Sequence, residues 1–138
     1  MRSPSFWALI PCLIVAAFAL GCGPAKGSVN GQVTIDGKLL DKGVISYVPA
    51  DENGEPVTGD VLNGKYELTM VAGKKHVQIS APIVVRTEKE HDGPNAPLIE
   101  FSEERLPSKY NSETELSFDV KPGQNSKDWT INSLRTPR

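Results

Sequence analysis

The chain has 138 residues, with 15 Lys plus Arg against 17 Asp plus Glu, for a net charge of −2 at neutral pH. That length accommodates one domain with a limited core, preceded at most by a short leader. The near-balance of charge excludes a protein held to nucleic acid by a concentrated basic face, and the only adjacent basic pair, Lys74 and Lys75, reads as solvated residues at a strand edge.

The first predicted element lies at residues 1–25. Arg2 precedes a charge-free run whose apolar part, residues 6–20, closes on Ala19, Leu20, Gly21 and Cys22. A membrane-spanning helix needs roughly 20 apolar residues. This run is shorter, and Pro11 interrupts it. A cation, an apolar stretch and a small-residue end together form the layout of an export signal. Cys12 would leave with that signal, so Cys22 would be the sole thiol of the remaining chain and no internal disulfide would form.

A small residue followed by cysteine at the end of such a run resembles the lipobox of bacterial lipoproteins. Gly21 and Cys22 carry the likeness, while Ala19 and Leu20 stand in the reverse of the family's usual order. The resemblance implies cleavage between Gly21 and Cys22, a diacylglycerol on the Cys22 sulfur and acylation of the new amino terminus. Lipid on Cys22 would then be the membrane partner, since two or more acyl chains give stable attachment where one does not. Gly23 replaces the aspartate that retains many such proteins at the inner membrane, so placement at the outer membrane is expected. An uncleaved anchor and ordinary secretion are the alternatives. The expected organisation is a signal at 1–21, a lipid-anchored linker at 22–27, a domain at 28–132 and a tail at 133–138. Removal of residues 1–21 leaves 117 residues, in which 14 basic residues face 17 acidic ones, a net charge of −3.

The rest of the chain reads as strands and turns. Val29, Gly31, Val33 and Ile35 alternate with Asn30, Gln32 and Thr34, and Asp36 with Gly37 supplies a turn. Residues 44–48 form a second strand, ended by Pro49, and residues 51–59 a polar loop. Asn63 and Gly64 mark the clearest hairpin, with Val61 and Leu62 before it and Tyr66, Leu68 and Met70 after. Gly73 precedes a strand through Val77 and Ile79, which is expected to run on past Pro82 to Val85 at a bulge or sheet edge. Residues 86–105, from Arg86 to Arg105, are the least strand-like part, with at most a turn or two of helix near Leu98. Such a loop is either a partner-binding element or a variable insertion. Leu116, Phe118 and Val120 form another strand, residues 121–125 a turn, and Trp129 with Ile131 a last short strand. About seven closely spaced strands with no helical period predict an all-β fold, a small two-sheet β-sandwich.

Six stretches in this order carry a family resemblance: Val29-Asn-Gly-Gln-Val-Thr-Ile-Asp-Gly-Lys-Leu-Leu, Gly43-Val-Ile-Ser-Tyr-Val-Pro, Asn63-Gly-Lys-Tyr-Glu-Leu, Ala72-Gly-Lys-Lys-His-Val-Gln-Ile, Leu106-Pro-Ser-Lys-Tyr-Asn and Leu116-Ser-Phe-Asp-Val-Lys-Pro-Gly-Gln-Asn. Together they resemble the small planctomycete-type bacterial lipoproteins with a carboxypeptidase-regulatory-like, transthyretin-like (prealbumin-like) domain. The resemblance implies a seven-stranded sandwich with Greek-key connections and no established activity. Transthyretin-like enzymes that open hydroxyisourate rings end on a Tyr-Arg-Gly-Ser type motif. This chain ends Ser133-Leu-Arg-Thr-Pro-Arg, so that activity is not carried over.

No catalytic site, metal site or cofactor is predicted. The serines lack a nucleophile-elbow context, and His76 alternates away from Val77 towards solvent. Asp51, Glu52, Asn53, Glu55 and Asp60 offer oxygen ligands without EF-hand spacing, and His91 with Asp92 supplies fewer ligands than zinc needs. The expected function is that of a non-catalytic cell-envelope lipoprotein, a structural or protein-binding module with an envelope protein partner and no nucleic acid. A carbohydrate-binding or adhesive module is the alternative, and a hydrolase ranks below both.

Overall fold

In the computed structural model the described residues are Gly21 and 23–133. Residues 1–20 of the predicted signal, the lipidation position at Cys22 and the last five residues of the tail lie outside them. The described chain forms β1 (Lys26–Ile35), β2 (Lys38–Leu39), β3 (Lys42–Pro49), β4 (Val57–Leu62), β5 (Lys65–Val71), β6 (Gly73–Ser80), β7 (Pro82–Lys89), β8 (Leu98–Glu104), a 3-10 turn at Ser108–Tyr110, β9 (Ser117–Val120), β10 (Gly123–Ser126) and β11 (Trp129–Ile131). The fold is an all-β sandwich, as the alternation predicts.

One layer is built on β1. Its first half pairs antiparallel with β5 on one side and parallel with β10 on the other, and its last residues pair with β11 and β2. The second layer has the order β4-β3-β6-β9, antiparallel throughout. The layers join at the turn between β4 and β5. Asn63 and Gly64 adopt the positive φ of 50° and 77° that a tight two-residue turn requires. Only Leu62 and Lys65 then pair across it, so the predicted hairpin is instead the corner between layers.

Alternation sets the core. Tyr66, Leu68 and Met70 of β5 and Val29, Val33 and Ile35 of β1 are buried in one layer, facing Ile45 and Tyr47 of β3 and Val77 and Ile79 of β6 in the other. Each such side chain contributes roughly 1.5–3 kcal/mol on burial. Trp129 and Ile131 of β11 complete the core, together with Val120 of β9.

Gly31 allows the close approach of β11's leading segment. A Cβ at Gly31 would lie 1.8 Å from the Lys127 carbonyl oxygen. The Lys127 N–H donates to the Asn30 carbonyl at 2.8 Å, and the Gln32 N–H donates to Asp128 Oδ1 at 2.8 Å. These bonds bridge the break between β10 and β11 along the edge of β1.

Several expectations are corrected. β2 and β10 have two and four residues and no apolar alternation, which hid them. The turn expected at 121–125 holds the start of β10, and β1 begins at Lys26, inside the stretch expected as linker. Residues 86–105 are no simple loop, because β7 and β8 pair antiparallel from Pro82 opposite Glu104 to Lys89 opposite Leu98, with a register shift between Val84 and Arg86 rather than at Pro82. Leu98 therefore opens a strand, and no helical turn forms there.

Candidate functional site

Two features outside the core present chemistry, and they sit at opposite ends of the sandwich. Antiparallel pairing of β1 with β5 brings Lys26 beside Val71, and β6 starts there at Gly73. The loop after Pro49 reaches the same end. Together these segments enclose a cavity of about 900 Å³, lined by Lys26, Tyr47, Pro49, Val57, Met70, Lys75 and their neighbours. That volume lies within the range of small-molecule pockets.

Lys75 distinguishes this cavity. Its position in β6 puts it on the inner face with Val77 and Ile79, between Pro49 of β3 and Phe118 of β9, and it is only 6% exposed. The expectation that Lys75 is solvated fails because the inner face of β6 extends one residue beyond the apolar run. Lys74 and His76, on the alternate face, are exposed as predicted. Among the described residues the Lys75 side chain has no ion-pair or hydrogen-bond partner. Asp51 and Glu55 also line the cavity, from the loop between β3 and β4, and neither pairs with it.

Beneath the cavity runs a buried polar chain. Trp129 Nε1 donates to the Tyr47 hydroxyl at 3.4 Å, Tyr47 donates to Tyr66 at 3.0 Å, and Tyr66 donates to the Lys127 carbonyl at 2.6 Å. Burial, above all, raises the pKa of both tyrosines above the ordinary value, and at Tyr66 the bond from Tyr47 adds to the rise. The chain is a proton-saturated structural strut.

At the far end β6 leads through Ala81 into the ribbon of β7 and β8. These strands pack chiefly on each other. Ile83, Val84, Val85, Leu98, Ile99 and Phe101 on it are 38–66% exposed. Arg86 lies 4.3 Å over the Phe101 ring and 3.1 Å from Glu88. The base is fixed: Glu104 accepts from the Ala81 and Leu106 N–H groups, and Arg105 lies 3.8 Å from Asp41.

The predicted metal candidates do not converge. Among the described residues no three His, Cys, Asp or Glu side chains are grouped to hold an ion. Asp51 Oδ1 instead accepts from the Asn53 N–H at 3.1 Å, closing its own loop. Sequence reasoning missed Lys75 as a site, and it marked residues 86–105 as a partner-binding loop or variable insertion without finding the two-stranded ribbon. An inward position in an alternating strand was the available signal for Lys75, and Ile83 to Val85 with Leu98 to Phe101 was the signal for the ribbon.

No protein-family model and no curated protein matches the chain. Among solved structures it is similar to a DUF3823 family protein from Parabacteroides merdae, at 13% identity and a TM-score of 0.40, over 80% of this chain and 47% of that one. The chain thus spans about half the length of that protein. It is also similar to the dioxygenase domain of a dioxygenase carbohydrate-binding protein fusion from Streptomyces sp. SirexAA-E, at 16% identity and a TM-score of 0.39, over 82% of this chain and 83% of that one.

Proposed function

We propose that the chain is a lipid-anchored envelope protein whose sandwich is a non-catalytic protein-binding module, similar in plan to the small lipoproteins with a transthyretin-like domain. The observation that carries this reading is the ribbon of β7 and β8, an apolar two-stranded element with open edges that stands free at the end of the sandwich remote from Lys26. A ribbon of two strands is marginal by itself and gains from a third strand or an apolar partner.

The proposed anchor fits that polarity. The Ala72 N–H donates to the Ala25 carbonyl at 2.8 Å, so the ordered body starts three residues after Cys22. Such a span reaches about 10–11 Å when extended. Lipid on Cys22 would therefore hold the Lys26 end against the bilayer and present the ribbon outward. The carbohydrate alternative needs an exposed aromatic platform, whereas Tyr47, Tyr66, Tyr110 and Trp129 are buried and the exposed Phe101 ring is covered on one face by Arg86.

The experiment combines Cys22→Ser with a photo-crosslinking residue placed at Val84, Leu98 or, as a control, exposed Glu67. Loss of lipid mass and release from the membrane are expected for the variant. Adducts of one discrete mass are expected from Val84 and Leu98 and none from Glu67. Unchanged fractionation would overturn the anchor, and equal labelling at all three positions would overturn the ribbon as the docking element.

A further inference from the structure

The cavity at the Lys26 end carries an inference of its own. We propose that it binds a ligand with one negative group and an apolar body, the anion pairing with Lys75. A lysine whose apolar stem is buried and whose ammonium group opens without a partner into a cavity is positioned to pair with an anion that enters there. Lys75 meets that description: it is 6% exposed, lines the cavity and has no ion-pair or hydrogen-bond partner among the described residues. Tyr47, Pro49, Val57 and Met70 make the remaining wall largely apolar, which suits a hydrocarbon portion rather than a hydrated sugar or a bare ion. Asp51 and Glu55 also line the cavity, as do Lys26, Lys74 and His76, all of them exposed, so Lys75 is the charged lining residue set on the inner face.

The anion has two possible sources, a soluble organic acid or an anionic lipid from the bilayer. The site itself stands on the fold alone, and only the lipid source rests on the anchor proposed above.

The test uses the full chain in phosphatidylcholine nanodiscs, with empty nanodiscs as the partition control. The probes are 2-naphthoate and its neutral isostere 2-naphthamide. Naphthoate is expected to bind at least tenfold more tightly than the amide. Lys75→Met should abolish that preference, while Lys42→Met, exposed and outside the cavity, should retain it. In the unmodified protein, NMR resonances of Val57, Met70 and Lys75 should move on addition of naphthoate, a readout that does not depend on how any variant folds. Equal binding of the two probes, a preference that survives Lys75→Met, or shifts confined to Val84 and Leu98 would each overturn the proposal. A second arm adds phosphatidylglycerol to the nanodiscs. Displacement of bound naphthoate assigns the source to the bilayer, and undiminished binding assigns it to solution. Failure of naphthoate to bind would leave the Cys22 mass and fractionation results standing, so the two readings fail separately.

Discussion

Glu104 holds the backbone of Ala81: the Ala81 N–H donates to Oε1 at 3.0 Å and to Oε2 at 3.2 Å, while the Leu106 N–H donates to the same Oε1 at 3.0 Å. One carboxylate thereby closes the base of the ribbon, binding the residue that enters β7 to the residues that leave β8. Removing it leaves two backbone donors without their acceptor. Glu104→Ala is expected to cost about 1–2 kcal/mol in denaturant unfolding. The Ala81 and Leu106 amides should exchange with deuterium faster than those of β6, and unchanged exchange at both positions would contradict the clamp.

The buried hydroxyl chain predicts an alkaline limit. Burial raises the pKa of Tyr47 and Tyr66, so the native state keeps their protons when the unfolded state loses them near pH 10. Stability from this source is therefore intact below about pH 10 and falls as pH rises further, by up to about 1.4 kcal/mol per pH unit for each tyrosine. Chemical denaturation between pH 8 and 12 should show a plateau followed by this decline, steeper in the parent than in Tyr47→Phe. A flat profile would show that the hydroxyls ionise in the fold.

Gly31→Ala tests the close approach of Lys127. A methyl group cannot fit 1.8 Å from a carbonyl oxygen, so the segment between β10 and β11 must shift, with an expected cost of about 1–3 kcal/mol. The fluorescence of Trp129, whose strand follows that segment, should move to longer wavelength. An unperturbed spectrum with parental stability would refute the packing argument.

Asp36 ties the end of the described chain to the turn between β1 and β2. It accepts from the Ser133 N–H at 3.0 Å and from the Ser133 hydroxyl, and these bonds hold its pKa below the ordinary aspartate value. A carboxylate with a lowered pKa contributes stability above its unfolded pKa, near 3.9, and loses it as pH falls through the folded value. The Ser133 amide should therefore stay protected at pH 5 and lose protection below about pH 4. In Asp36→Asn the protection should no longer vary over that interval.

Period-two alternation made β1, β3, β5, β6, β9 and β11 legible, because each sets one face against a core and the other against water. The turns at Asp36 and Gly37 and at Asn63 and Gly64 were equally legible, since each pair takes positive φ. The destination of the second turn was not: local chemistry specifies a reversal, while pairing of six successive residues of β4 with β3 decides that β5 leaves for the other layer. The first half of β7 was legible as strand past Pro82, but its second half and β8 were not, because they bury neither face and carry no single-sided pattern. Lys75 escaped for the opposite reason. A charged residue was assigned to water by type, when the strand's phase placed it inward.

The parallel seam between β1 and the pair β10 and β11 joins residues some 95–96 positions apart, as in the bonds of Thr34 with Trp129 and Thr130 and of Gln32 with Asp128. β1 thus lacks one of its neighbours until β10 and β11 exist. Closing so distant a pairing is slow, because the loop entropy is lost before the contacts form. A chain that has not yet released β11 therefore cannot complete this sheet, and that edge of β1 stays open until then.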